Sequence, residues 1–247
     1  MKIIECVNTF NKRGYFVIKN VFSDKFVKKI IFDCENIKNA EIYYDRIGHI
    51  RRIERLYDKS ANLKQLNKKI LNLLKKIFKE HFYIFKDKYN AKPPNGEGFY
   101  AHYDGVFNFY KNKKKKRGWY EYSNKFINCL VALDNCNKKN GTIELAKSDN
   151  LSFENLIKNT KQDGSPNLKI QYEKKLKFQK INLKKGDICF FASTCPHRSE
   201  KNLSKFSRRI IYYTYNPKKF GDNYKKYFLD KKNSQNKNSF KSLIGKI

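Results

Sequence analysis

Ala101-His102-Tyr103-Asp104-Gly105 decides how this chain is read. Side chains alternate along an extended strand, so His102 and Asp104 project from one face and Tyr103 from the other. Two donors on one face, joined by a distant histidine, make a two-histidine, one-carboxylate set. Such a set holds iron(II) and leaves positions open for a co-substrate and oxygen. The chain has four histidines, His49, His81, His102 and His197. His197 follows a strongly apolar strand and is the candidate third donor, whereas His49 and His81 read as structural.

Outward from this stretch, helical and strand periods succeed one another. Residues 14–22 read as a short strand, and Ser23 is a fitting N-cap for a helix from 24 to about 38. Leu63, Leu66, Ile70, Leu73, Leu74 and Ile77 recur at three-four spacing and predict a second helix over about 61–79. Strands follow at 82–90 and, after the turn cluster Pro93-Pro94-Asn95-Gly96, at 99–104. Residues 106–125 are a basic, aromatic connection holding the only tryptophan, Trp119; long ordered loops of this kind are often lids. Further strands are expected at 126–134, 142–146, 188–192 and 208–215, with a polar connection over 152–180. The tail from Asn216 is polar and basic and is expected to end in disorder. Two helices followed by many short strands argue for an α+β chain, mainly β, with a jelly-roll core.

The 247 residues suit one domain, and 40% hydrophobic residues supply its core. Met1-Lys2-Ile3-Ile4-Glu5 meets an acid before any long apolar run, and nothing approaches the length of a membrane span. The expectation is a cytoplasmic protein. Cys6, Cys34, Cys129, Cys136, Cys189 and Cys195 show no Cys-x-x-Cys pair and read as reduced thiols. Cys195 and His197, two apart on one strand, do not form a nucleophile–base pair. The net charge of +32 suits a polyanion or a small anionic substrate. Its lysines are spread along the whole chain, without an arginine-rich arm or a DNA-binding motif, so nucleic acid is the weaker candidate. If a dicarboxylic co-substrate is used, a fixed arginine is needed to grip its remote carboxylate. Arg208, at the start of the strand after His197, is placed to do so if the two strands are antiparallel neighbours. Arg209 faces the other way.

Taken together, several segments in order resemble the phytanoyl-CoA dioxygenase-like iron(II)/2-oxoglutarate oxygenases, over about 15–231. They are Phe85-Lys86-Asp87-Lys88-Tyr89-Asn90, the His102/Asp104 stretch, Asn140-Gly141-Thr142-Ile143-Glu144-Leu145, and Gly186-Asp187-Ile188-Cys189-Phe190-Phe191. Pro196-His197-Arg198-Ser199, Asn202-Leu203-Ser204 and Arg208-Arg209 follow. The resemblance implies a single oxygenase domain with a cupin-like double-stranded β-helix core and supporting N-terminal helices. It implies that His102, Asp104 and His197 hold Fe(II), with 2-oxoglutarate and O2 as co-substrates. Arg208 and Ser199 would then bind the far carboxylate, with Lys88 and Asn128 facing the co-substrate. Hydroxylation is implied, because Asp104 is kept where related halogenases have a small residue. Two departures touch the pocket wall. Tyr103 stands where the family often has Gln, and Lys147-Ser148-Asp149-Asn150 replaces a usual Gly-Ser-His.

The stretches Arg51-Arg52-Ile53-Glu54 and Arg208 to Asn216, with Gly221-Asp222-Asn223-Tyr224, resemble members acting on small organophosphonates such as 2-aminoethylphosphonate. Arg52, Arg55 or Lys92 would meet the anionic group, and Tyr103 the substrate. The alternative is an oxygenase or binding protein of the same fold that meets a macromolecule through its basic surface.

Overall fold

The computed structural model describes residues 2–45, 47–111 and 113–235; the C-terminal end, expected to be disordered, lies outside them. The chain opens on α1 (Ile3–Arg13), which ends where Gly14 enters the left-handed region at φ +83°. Cys6 is its buried residue, and Val7 and Phe10 on the same three-four stripe pack against the core. After β1 (Tyr15–Ile18) comes α2 (Asp24–Glu35), whose Ser23 cap accepts from the Phe26 amide at 3.3 Å. A hairpin of β2 (Glu41–Tyr44) and β3 (Ile50–Glu54) precedes α3 (Ala61–Phe78). As the spacing predicts, α3 buries Leu63, Leu66, Ile70, Leu74 and Ile77.

The strand-rich part runs β4 (Phe82–Lys92), β5 (Phe99–His102), a hairpin β6 (Phe109–Lys111) and β7 (Lys114–Lys116), β8 (Ile127–Ala132) and β9 (Ile143–Leu145). Short helices α4 (Phe153–Leu156) and α5 (Ile170–Glu173) lie in the polar connection. They are followed by β10 (Gln179–Lys180), β11 (Ile188–Ala192), β12 (His197–Ser199), β13 (Arg208–Pro217) and α6 (Tyr224–Gln235). That last helix lies in the tail read as merely polar. Tyr224, Tyr227, Phe228 and Lys231 are its buried residues, at helical spacing, and it packs on β4.

Besides the β6-β7 hairpin, the described residues form two larger antiparallel sheets: seven strands in the order β1-β11-β8-β13-β4-β3-β2, and four in the order β10-β9-β12-β5. All six residues of β8 are buried, as befits a central strand covered on both faces. One face of the large sheet, with Phe85, Tyr89, Cys129, Val131, Ile211 and Tyr213, packs on the helices. The other, with Leu130, Ala132, Ile210 and Phe191, meets Ile143 and Leu145 of the small sheet. The polar remainder of this second face, on β3, β4 and β13, is left to line a cavity.

The expected adjacency of His197 and Arg208 is corrected. β12 pairs with β5 and β9, whereas β13 pairs with β4 and β8, so the two residues lie in different sheets. The residues between them cross from one sheet to the other instead of forming a hairpin.

Asp87 ties the layers together. Buried on the core face of β4, its carboxylate accepts from the amides of Arg55, Leu56 and Tyr57 and from the Tyr224 hydroxyl at 2.6–3.1 Å. Removing it strands four buried or part-buried donors. Asp87→Ala is expected to lower stability by roughly 3 kcal/mol, measured by denaturant unfolding.

Candidate metal centre

The β5–β12 ladder sets His102 directly opposite His197. Their rings lie 4.1 Å apart, centroid to centroid. Asp104, two residues after His102, brings Oδ2 to 3.7 Å from His197 Nε2, and one ligand atom from each residue falls within 4.8 Å of the others. Two glycines permit the approach. At Gly98 a Cβ would meet the Ser199 carbonyl oxygen at 1.9 Å, and at Gly105 (φ +75°) it would meet the Trp119 ring at 2.5 Å.

Neighbours set the protonation of this donor set. His102 Nδ1 lies 2.7 Å from the Tyr100 carbonyl and His197 Nδ1 3.1 Å from the Cys195 carbonyl. Each ring therefore donates from Nδ1 and turns an Nε2 lone pair inward. Burial, with His197 beside it, pushes His102 down to about 3, and burial lowers His197 too. Burial alone would raise the Asp104 carboxyl, but His197, His102, Lys88 and Lys86 outweigh it and hold it low. The Asn128 amide donates to Asp104 Oδ2 at 2.9 Å and accepts from the Thr214 hydroxyl at 2.7 Å. Two neutral imidazoles and a carboxylate, oriented by their neighbours, fit a divalent first-row metal.

The donors open on a cavity of about 540 Å³ between the sheets. Lys88, Asn128, Ser199 and Arg52 line it. Lys88 is pushed down to about 8 by burial and by Lys86. Arg208 is 1% exposed and reaches the cavity wall through Asn90, whose Oδ1 accepts from Nη2 at 3.4 Å, and through Tyr212. Its Nε is buried without a hydrogen-bond partner, and no carboxylate pairs with it among the described residues. Opposite it on β4, Lys92 donates to Ser199 Oγ at 2.9 Å; burial and the neighbouring Arg208 and Arg51 push it down to about 6. A buried, unpaired guanidinium fits the remote carboxylate of a dicarboxylic co-substrate. Arg209, by contrast, faces away and pairs with Asp134 and Glu35 at 2.8 Å.

Three residues expected at the substrate are not brought there: Tyr103, Arg55 and Lys92, whose buried ammonium is taken up by the Gly141 and Glu200 carbonyls and Ser199. Tyr103 is fully buried on the opposite face of its strand, where its hydroxyl meets Asp149, Tyr172 and Asn159. Arg55 is exposed beside Glu41. The structure adds Lys86, Glu54, Lys231 and Thr214 to the cavity wall. Lys86 shares a face with Lys88 by strand alternation, a signal present in the sequence. Lys231 becomes a site residue only once α6 is seen to pack on β4. Trp119 of the expected lid is 6% exposed and packs on Phe85 and Phe126.

A buried two-histidine, one-carboxylate face with an adjoining cavity is a donor set of the facial-triad class. The phytanoyl-CoA dioxygenase (PhyH) family profile matches residues 10–210, and the chain belongs to that family. It is 30% identical over 155 residues to a methylphosphonate hydroxylase of Gimesia maris, covering 61% of this chain and 52% of the relative. It is 29% identical over 184 residues to a 2-aminoethylphosphonate dioxygenase from an uncultured bacterium, covering 73% and 64%. The chain thus spans about half to two thirds of the length of these relatives. Similar solved structures include EctD from S. alaskensis with 2-oxoglutarate and 5-hydroxyectoine (TM-score 0.64, 16% identity, 87% of this chain and 76% of that one). The epimerase SnoN with Fe3+, alpha ketoglutarate and nogalamycin RO has a TM-score of 0.64 at 13% identity, covering 86% and 82%. At that identity the likeness is one of fold. Among the described residues no helix is long and apolar enough to cross a membrane.

Asn128→Ala is expected to weaken divalent metal binding by about 10–100-fold, read by cobalt(II) titration. For the metal-free protein, His102 titrates near 3 when folded and near 6.5 as a free side chain, so the unfolded chain takes up the proton first. Stability is therefore expected to fall as the pH drops from about 6.5 toward 3, followed by thermal unfolding across that window.

Proposed function

We propose that this chain is an iron(II)/2-oxoglutarate-dependent dioxygenase that hydroxylates a C–H bond of a small anionic metabolite, releasing succinate and CO2. An organophosphonate is the favoured substrate. The observation that carries this reading is the convergence of His102, Asp104 and His197 on a cavity whose β3–β4 wall is cationic. The two relatives named for phosphonates support the substrate class, and family membership supports the reaction class. The reading also takes the two facing sheets as a double-stranded β-helix, the chain as one oxygenase domain with its core over about 15–231, and the location as cytoplasmic.

His102 and His197 would present Nε2 to iron(II), and Asp104, steadied by Asn128, would supply the carboxylate. Iron, when bound, activates O2 in a reaction coupled to decarboxylation of 2-oxoglutarate. Arg208 would hold the far carboxylate of the co-substrate, with Ser199 and Lys92 beside it. Arg52, Lys86 and Lys88 would hold the anionic group of the substrate so that one C–H bond faces the metal. Phe107, Trp119 and Tyr227 line the cavity with aromatic surface that sheds water.

Purified protein with iron(II), ascorbate and 2-oxoglutarate is expected to form succinate, stimulated by phosphonates and abolished in His102→Ala. Arg208→Met is expected to raise the KM for 2-oxoglutarate by about tenfold or more with a smaller change in kcat. No succinate above the His102→Ala level would refute the reading.

A further inference from the structure

The cationic wall is more selective than a general attraction to anions. Lys86 and Lys88 stand two apart on β4 and project from one face, with Arg52 on the neighbouring β3 and Lys231 on α6. Lys86 Nζ touches only aromatic faces, Trp119 at 5.0 Å and Tyr227 at 5.8 Å; Lys88 Nζ lies 4.8 Å from the Tyr212 ring centre. Among the described residues neither ammonium has a hydrogen-bond acceptor or a carboxylate within ion-pair distance, although each carries three donors. Partly buried charges left in this state call for an anion from outside the protein.

The buried acids of the cavity, Glu54 and Asp104, are already committed. Glu54, fully buried, is held by Lys231 on one oxygen, and its other oxygen faces Arg52 Nε at 3.5 Å. Those two facing atoms, Glu54 Oε1 and Arg52 Nε, are the ones left without another partner. Asp104 belongs to the metal. Asp163, on an exposed loop at the cavity, accepts from the Ser165 amide and hydroxyl at 2.9 and 2.5 Å. Four cations thus share one buried carboxylate, Glu54, which already pairs with Arg52 and Lys231, and Lys86 covers the Trp119 and Tyr227 rings where a foreign ammonium would otherwise bind. This group is also distinct from the Arg208 end. Lys88 and Lys92 are four strand residues apart, about 13 Å along the backbone, and the Lys92 ammonium is held at the Arg208 end by the Gly141 and Glu200 carbonyls and Ser199.

We infer that the Arg52–Lys86–Lys88–Lys231 wall takes the dianionic group of a substrate that carries no ammonium, so that alkylphosphonates are preferred over aminoalkylphosphonates. The inference rests on the phosphonate reading above and decides between two substrate types that sequence identities of 30% and 29% leave level. An ammonium on the substrate would enter a field of four cations whose one buried partner carboxylate, Glu54, is already paired.

The cleanest comparison is propylphosphonate against 2-aminoethylphosphonate, because the first places a methyl where the second places its ammonium. Both are titrated calorimetrically, at pH 7 and without oxygen, into the iron-loaded protein with 2-oxoglutarate. Propylphosphonate is expected to bind at least tenfold more tightly, about 1.4 kcal/mol. Succinate release in air should rank the two in the same order. Lys88→Met, or Lys86→Met should the first fail to fold, is expected to weaken propylphosphonate at least tenfold. Equal or tighter binding of 2-aminoethylphosphonate overturns the inference and leaves the phosphonate reading standing. Unchanged propylphosphonate binding in a folded lysine variant also overturns it. Binding of neither compound, with no added succinate from either, removes both readings.

Discussion

The antiparallel pairing of β5 with β12 is the constraint on which the site depends. Backbone hydrogen bonds of that ladder hold His102 opposite His197, and strand alternation returns Asp104 to the same side. A one-residue slip would turn the donors out of the cavity and Tyr103 into it. Gly98 and Gly105 let Ser199 and Trp119 come close enough to lock that register. The carbonyls of Tyr100 and Cys195, each two residues before a histidine, then fix the ring tautomers. Local geometry of two short strands therefore sets distance, orientation and protonation together.

Strand β4 is the counterpart in the large sheet. Its core face carries Phe85, Asp87 and Tyr89, and its cavity face carries Lys86, Lys88, Asn90 and, at the Arg208 end, Lys92. The same period of two that anchors the strand thus delivers a row of charge to the interior. Such a row is costly to desolvate, and the protein offsets it only in part, through Glu54 and the faces of Trp119, Tyr212 and Tyr227. Stability conceded there is consistent with a wall built to receive an anion, as functional sites commonly depart from the best packing.

α6 joins the site to the periphery of the fold. Tyr224 donates to Asp87 on the core face of β4, while Lys231 reaches Glu54 beside the cavity. One helix therefore braces the scaffold and completes the charged wall. The bulk of the +32 charge lies elsewhere, on exposed lysines, and only a small part of it is turned inward.

The sequence by itself determined the donor set, the two amphipathic helices and most strands, because periods of two and 3.6 are local properties of the chain. His102, Asp104 and His197 were legible for that reason, and so was the outward turn of Arg209. Tertiary structure alone decided which strands became neighbours. It put His197 and Arg208 in different sheets, kept Tyr103 out of the cavity, and brought Glu54 and Lys231, far apart in the chain, into one ion pair. The polar tail hid α6 because its stripe of Tyr224, Tyr227, Phe228 and Lys231 is short and ends in a charge. Pairing between distant segments depends on which faces can be buried together, and no local period encodes that.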